Sequence, residues 1–492
     1  MLLDGFGFFF TDFSAFVCCR IIRTRIDHFY SERYDDSMNK IQPISSEAFT
    51  ELSSQTLAAF ERDFDAEKAY ALAMNGAVKN GIAASCIDYK ENRSMQNNFS
   101  VSIDSGDITD QKQSGRCWMF AALNVMRLKV MKKLKLKNME LSQSYPLFWD
   151  KLEKSNWFLE NILATLDEPL NGRLLHFLLE APVADGGQWS MFADLIKKYG
   201  VIPKDAMNES FDSSATKDLT KYLTLKLREY ACTLREEHRS GKSMQELRSR
   251  KQAMMNEVYR MLCISLGKPP ASFTWETRDK DDKFIRIRST PQQFFADYVG
   301  MKLDDYVSLI NAPTKDKPFG KTYTVKYLGN VAGGTPVIYL NLPIEDLKKA
   351  AIAQMKAGEA VWFGSDVQQW FLKSEGLLSM NALRPDLLFD TGFPLTKEQR
   401  LDYRESLMTH AMTFTGVNLD ENGKADRWRV QNSWGKDVGK EGFWVMSDEW
   451  FDQFTYQIVV NKKYLTKAQR ELFTQSPIEL EPWDPMGSLA RR

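Results

Sequence analysis

One thiol in this chain sits where a nucleophile can be made. Cys117 lies in the run Gln111-Lys112-Gln113-Ser114-Gly115-Arg116-Cys117-Trp118-Met119-Phe120, between a glycine-containing turn and the start of a helically spaced apolar stretch. A cysteine at a helix start meets the positive end of the dipole and backbone N–H groups with no partner inside the helix, and both favour thiolate over thiol. An isolated cysteine is more often a small buried hydrophobe. The reading therefore turns on whether the chain also holds a base and a group to orient it. Of four histidines, His28 lies in an atypical N-terminal leader, His176 in an apolar run that reads as core, and His238 on a charged, solvated helix face. His410 differs, because it opens an alternating, β-branched run that reads as a half-buried strand. Asn432 follows 22 residues later, after a second strand-like run at Trp428-Arg429-Val430-Gln431. The turn signal Asp420-Glu421-Asn422-Gly423 between them predicts a hairpin, which makes His410 and Asn432 neighbours across strands.

With a thiol, an imidazole and a side-chain amide in this order, the chain resembles the papain-like cysteine peptidases, and within them the bleomycin hydrolase or aminopeptidase C family. The resemblance is carried by Gln111 through Phe120, His410-Ala411, Asn432-Ser433-Trp434-Gly435, Asp185-Gly186-Gly187-Gln188-Trp189, and Trp483 through Ala490. It runs from about residue 38 to Ala490. It implies an α+β fold of the papain-like two-lobe kind, a helical lobe plus a β-barrel-like lobe, with a large and mainly helical insertion. It also implies roles: Cys117 as nucleophile, paired as thiolate with protonated His410, Asn432 as orienter of the ring, and Gln111 with the Cys117 N–H as oxyanion donors. Gly186 and Gly187 would pair with the substrate backbone, and Trp434 would shield the His410–Asn432 bond. Ala490 would offer the chain-end carboxylate to the substrate's free amine, while Arg491 and Arg492 run beyond the family's usual end and would reach toward the nucleophile.

Two departures place the chain in the cytosolic branch. Ser114 and Arg116 stand where secreted papain-type enzymes carry Cys and a small residue, so one disulfide is missing, and His410 lies 293 residues after Cys117 rather than roughly 130–150. The implied activity is that of a thiol aminopeptidase of broad specificity, acting on peptides and on bleomycin-like amides, and assembling as a homohexamer. Two other readings stay open: a papain-like endopeptidase, if the C-terminal arm leaves the cleft free, and a non-enzymatic nucleic-acid-binding ring.

Composition fits the first. The 492 residues are 43% hydrophobic and carry 65 basic and 65 acidic side chains, so no strong field calls for a nucleic-acid partner. The six cysteines show no framework spacing and no paired histidine for zinc. No cofactor and no metal are expected, and the expected compartment is the cytoplasm.

Five segments follow: an atypical extension over 1–37, an N-terminal arm and helical lobe with the nucleophile over 38–200, an insertion over 201–358, a β-rich lobe with His410 and Asn432 over 359–475, and a C-terminal arm entering the cleft over 476–492. The extension is apolar but interrupted by Asp4 and Asp12, which fits neither a spanning helix nor a secretory signal. Helices are predicted from Ser46 to Asp63, from Ala66 to Lys79, and from Cys117, whose apolar face would be Ala121, Ala122, Val125, Leu128 and Met131. The basic residues at the end of that last helix, Arg127 through Lys137, read as a solvated terminus or as a channel lining. Residues 218–266 read as a helical hairpin broken at Ser240-Gly241-Lys242, with a capping box at Ser243 and Glu246. Short strands are expected at Thr322–Tyr327 and Thr335–Leu340.

Overall fold

A computed structural model describes residues 50–491, so the extension over 1–37 lies outside the described residues. The chain divides into a short unit ending at Ala71 and a large one beginning at Leu72. Helix α1 (Ser54–Ala66) starts later than its apolar spacing predicts, because the Ser53 hydroxyl accepts the Thr56 N–H and fixes the helix start there. Extended backbone at Glu67 separates it from α2 (Lys68–Asn80).

The large unit carries the chemistry. Its helices are α3 (Cys117–Leu134), α4 (Ser144–Ala164), α5 (Arg173–Glu180), α6 (Trp189–Tyr199), and the pair α7 (Lys217–Arg239) and α8 (Met244–Leu266). Helix α3 begins at the cysteine, as predicted, but it is not the one-sided helix its apolar spacing describes. Every residue from Cys117 through Arg127 is buried, while Leu128 is only half-buried. The cause is tertiary: α3 is enclosed between helices and the main sheet, whose Trp362 indole donates to the Trp118 carbonyl (3.1 Å) and whose Thr413 hydroxyl donates to the Ala121 carbonyl (3.2 Å).

That sheet has twelve strands among the described residues. Its centre is formed by β1 (Tyr306–Ile310), β2 (Val361–Ser365), β3 (His410–Leu419), β4 (Ala425–Gln431), β5 (Phe443–Ser447) and β6 (Thr455–Asn461), in the spatial order β1-β6-β2-β3-β4-β5. The predicted hairpin is β3–β4, antiparallel with Thr413 opposite Gln431. On its other side β3 pairs with β2, placing His410 opposite Ser365.

The segment 201–358 is woven into this body. The hairpin α7–α8 forms with its break and its capping box where the sequence puts them, and Gly267, at φ +82°, ends α8. Beyond it, β1, Lys321–Val325 and Tyr339–Asn341 all join the main sheet, and Leu223 and Leu227 of α7 belong to the same apolar core as Trp118. Only Tyr339 onward of the second predicted strand pairs, and Tyr222, spaced for the core, is exposed.

Two side chains are placed against expectation. His176 is exposed on α5 rather than buried. Arg127 is buried rather than solvated, because its guanidinium caps three carbonyls, those of Met139, Ser105 and Asp107, and satisfies backbone groups that have left regular structure. Lys132, Lys133, Lys135 and Lys137 are exposed. Removing the α8 capping hydroxyl with Ser243→Ala should cost about 1 kcal/mol, read as a lowered urea midpoint with unchanged slope, and should leave any catalysis untouched.

Candidate active site

Cys117 is the first residue of α3, His410 the first of β3, and Asn432 follows β4 directly. The imidazole Nε2 donates to Asn432 Oδ1 at 2.7 Å. That bond places the ring proton on Nε2 and leaves Nδ1 as the basic nitrogen. Trp434 lies over the pair with its ring 4.9 Å from the imidazole, and it is backed edge-on by Trp444 at 5.2 Å. The sulfur shares this corner of the site, since the Ala411 N–H, one residue after His410, is directed at it together with the N–H groups of Trp118 and Cys117.

The site is dry: Cys117 is 4% exposed and His410 5%. Burial pushes the Cys117 thiol up to about 11 against the pull of those three N–H groups. Burial pushes His410 down to about 4, only partly opposed by the Asn432 bond. Burial thus disfavours the lone thiolate and the lone imidazolium alike. Charge separates only if the proton passes from sulfur to ring, after which the two charges support each other.

The loop before α3 is held to the strand side. Gln111 N–H donates to the Ser433 carbonyl (2.8 Å), the Ser433 hydroxyl donates to Gln111 Oε1 (2.7 Å), and Gln111 Nε2 donates to the Ser114 carbonyl (2.6 Å). Gln111 Nε2 donates to no second acceptor among the described residues. Lys112 takes a left-handed φ of 53°, stabilised by its N–H on Asp110 Oδ1 (2.8 Å). Ser433 was not foreseen as a site residue; its only signal in the sequence is its place beside Asn432.

The glycine pair is fixed from beneath. The Trp118 indole donates to the Asp185 carbonyl (2.8 Å), and Lys154 donates to the Ala184 and Gly186 carbonyls (2.8 and 2.6 Å). A Cβ at Gly187 would lie 2.5 Å from the Trp118 ring, so only glycine lets this backbone approach the residue after the nucleophile. Asp185 itself accepts from the Gly115 N–H (2.8 Å), Lys151 (2.5 Å), Thr220 (3.2 Å) and Thr216. Burial would raise this carboxyl, but the Lys151 ammonium and the donated hydrogen bonds hold it well below the usual carboxylate range. Lys151 and Lys154 were also missed. In Trp149-Asp150-Lys151-Leu152-Glu153-Lys154 they look like an exposed charged face, and only tertiary packing buries them.

A sequence model of the peptidase C1-like family matches residues 51–487. The chain belongs to that family. Among relatives of this C1-like chain, aminopeptidase C of Streptococcus thermophilus is 47% identical over 446 residues, covering 90% of this chain and 100% of that one. Bleomycin hydrolase of Homo sapiens is 41% identical over 449 residues, covering 89% and 99%. The crystal structure of pepw from Lactobacillus rhamnosis superposes with a TM-score of 0.88 at 49% identity, covering 90% of this chain and 100% of that one. The α+β, papain-like class expected from the sequence is the class observed.

In this C1-like chain the C-terminal arm, ending in a 3-10 stretch over Pro485–Arg491, runs beside the site. Asp484 pairs with Lys317 (3.0 Å), Tyr339 donates to the Met486 carbonyl (3.1 Å), and the Ser488 hydroxyl donates to the carbonyl of Met408, two residues before His410 (2.8 Å). Ala490 lines a cleft with Gly487, Arg491, Lys154, Phe177 and Ala184. Arg491 is turned to α5, where it stacks on Phe177.

The depressed imidazole has a consequence for stability. The unfolded chain takes up the His410 proton near pH 6.5, while the folded chain resists until about pH 4. Folding stability tied to this group is therefore complete above 6.5 and is lost as pH falls toward 4, by up to about 3 kcal/mol. Urea unfolding of the parent and of His410→Gln should show a difference that shrinks across that window; a difference independent of pH would mean the ring is not desolvated.

Proposed function

We propose that the protein is a cysteine aminopeptidase that releases N-terminal residues from peptides through Cys117, His410, Asn432 and Gln111. The observation that carries the reading is the 2.7 Å His410–Asn432 bond, set beside a thiol at a helix N-terminus. The names of the relatives agree with it, as do the family and the arm beside the site.

The reaction follows from the geometry. Cys117 Sγ, its proton passed to His410 Nδ1, attacks the scissile carbonyl as a thiolate, and the thiolate and imidazolium that burial disfavours singly support each other as a pair. The imidazolium is held in line by Asn432 and then protonates the leaving amine. The tetrahedral oxyanion is met by the Cys117 N–H and the unused N–H of Gln111; loss of one such donor typically costs a factor of about 10² to 10³ in turnover. Water, activated by the neutral ring, hydrolyses the thioester. Gly186 and Gly187 offer backbone to the peptide, and Ala490 lies where a chain-end carboxylate can receive an ammonium.

The compartment proposed is the cytoplasm. In support, Cys86, Cys117, Cys232 and Cys263 are all free thiols, and no helix among the described residues is long and apolar enough to cross a membrane. The partners proposed are peptides, bleomycin-like amides included, and further copies of this chain in a hexamer. An endopeptidase remains the second reading, favoured only by an arm that leaves the cleft.

Cys117→Ala should abolish peptide hydrolysis with the fold retained, and His410→Ala should be nearly as severe because the two act as a unit. Asn432→Ala should be milder. Residual turnover above roughly one percent in Cys117→Ala would remove the thiol from the mechanism. Free-amine peptides should be cleaved far faster than their N-blocked counterparts; equal rates would favour the endopeptidase. Light scattering at micromolar concentration should give about six times the 56.7 kDa chain mass, and a monomer alone would exclude the assembly.

A further inference from the structure

Cleavage of a peptide leaves a second fragment, whose new amine takes its proton from His410. The glycine pair and Ala490 belong to the helical side, where Ala490 shares a cleft with Lys154, Phe177 and Ala184. The imidazole is bordered instead by Trp434, with ring centres 4.9 Å apart. Over that same indole, 5.9 Å from its centre, lies the ammonium of Lys373. Lys373 is exposed and makes no ion pair among the described residues. The other lysines of this corner are already paired, Lys112 with Asp110 (2.5 Å) and Lys436 with Asp107 (3.4 Å). The root of Lys373 is firmly held. Trp370 takes a left-handed φ of 44°, a costly conformation for a bulky side chain, and the next residue, Phe371, packs on Trp444 (4.6 Å) and against Trp434 (6.4 Å). The 3-10 turn Lys373–Glu375 closes at Gly376, whose N–H donates to the Lys373 carbonyl (3.2 Å). A Cβ at Gly376 would lie 2.6 Å from the Trp444 indole, so the turn seats flush on that ring. Only the four-carbon stem of Lys373 is left to swing.

We propose that Lys373 binds the C-terminal carboxylate of short peptides, holding the far end of the leaving fragment while His410 protonates its near end. The role rests on the aminopeptidase reading and names a substrate class within it, di- and tripeptides with a free carboxylate. Distance selects the length. Imidazole and ammonium lie 4.9 and 5.9 Å from one indole, and an extended chain advances at most about 3.6 Å per residue. One or two released residues fill that gap, whereas a longer fragment carries its carboxylate past the ammonium. The chemistry suits broad specificity, because the carboxylate is common to all peptides whatever their side chains. An ammonium on a flexible stem meets it as a point charge, without the fixed geometry a guanidinium fork would impose. The indole face supports the stem and its cation from one side. A lysine already paired with an aspartate would first have to give up its partner, and Lys373 has none to give up. The effect is modest, since the ammonium is exposed, and it weakens as salt rises.

The test compares a dipeptide with its C-terminal amide, which differ only in the charge that Lys373 would read. In the parent, kcat/KM for the acid should exceed that for the amide about fivefold, with KM carrying the difference because the contact is made in ground state and transition state alike. Lys373→Met should remove the preference, Lys373→Glu should invert it, and Lys373→Arg should retain it. It should fade at about 1 M salt and in hexapeptides. Binding of the same pair to the Cys117→Ala protein needs no turnover and should give the same ratio in Kd. A parent that binds the acid through Lys373 yet hydrolyses neither peptide would support the carboxylate site and sink the aminopeptidase reading alone. An acid-to-amide ratio unmoved by Lys373→Met, in binding and in hydrolysis, would overturn the site. An equal preference in dipeptides and hexapeptides would overturn the assignment to short substrates.

Discussion

A buried carboxylate organises this site without touching its chemistry. Asp185 reaches the N–H of Gly115, two residues before the nucleophile, and its own carbonyl takes the indole proton of the residue after it. The same carboxylate binds Thr216 and Thr220 at the start of α7 and Lys151 on α4. Three stretches distant in sequence converge on one charge. Such a group is tolerated in the interior only while its counter-ion and donors are in place; removing one partner of a buried pair typically costs about 3–5 kcal/mol. Gly186 and Gly187 follow Asp185 directly, so the loop that carries the thiol and the backbone of the glycine pair are held by a common post.

This arrangement changes the meaning of the insertion. Residues between the glycine pair and His410 supply no reacting group, yet Thr216 and Thr220 brace Asp185, Glu209 pairs with the buried Arg116 at 2.9 Å, and the Gln113 N–H is received by the Ser214 carbonyl. The neck of the insertion therefore forms one wall of the nucleophile loop.

The proposed reacting groups stood out in the sequence because chemistry restricts which residues could do such work: a thiol at a helix start, a histidine opening a strand, and an amide across a hairpin turn. The hairpin and the capping box were legible because their signals are local. What could not be read was burial. Lys151, Lys154, Arg116 and Arg127 have the composition of a wet surface, and their interior positions follow from backbone carbonyls and carboxylates that only the folded chain brings to them. His176 fails in the opposite sense, since an apolar run at helical spacing still has one outward position per turn. The first three turns of helix α3, Cys117 through Arg127, depart from the stripe because they are covered on every side.

That complete covering has a mechanical corollary. An amide in the middle of a helix packed all round exchanges its hydrogen with water only when its surroundings come apart, whereas one on a surface helix exchanges by local fraying. The first turns of α3 belong to the former kind, so the backbone that aims the sulfur shares the lifetime of the whole large unit. The Cys117 sulfur is therefore carried on backbone with little motion of its own.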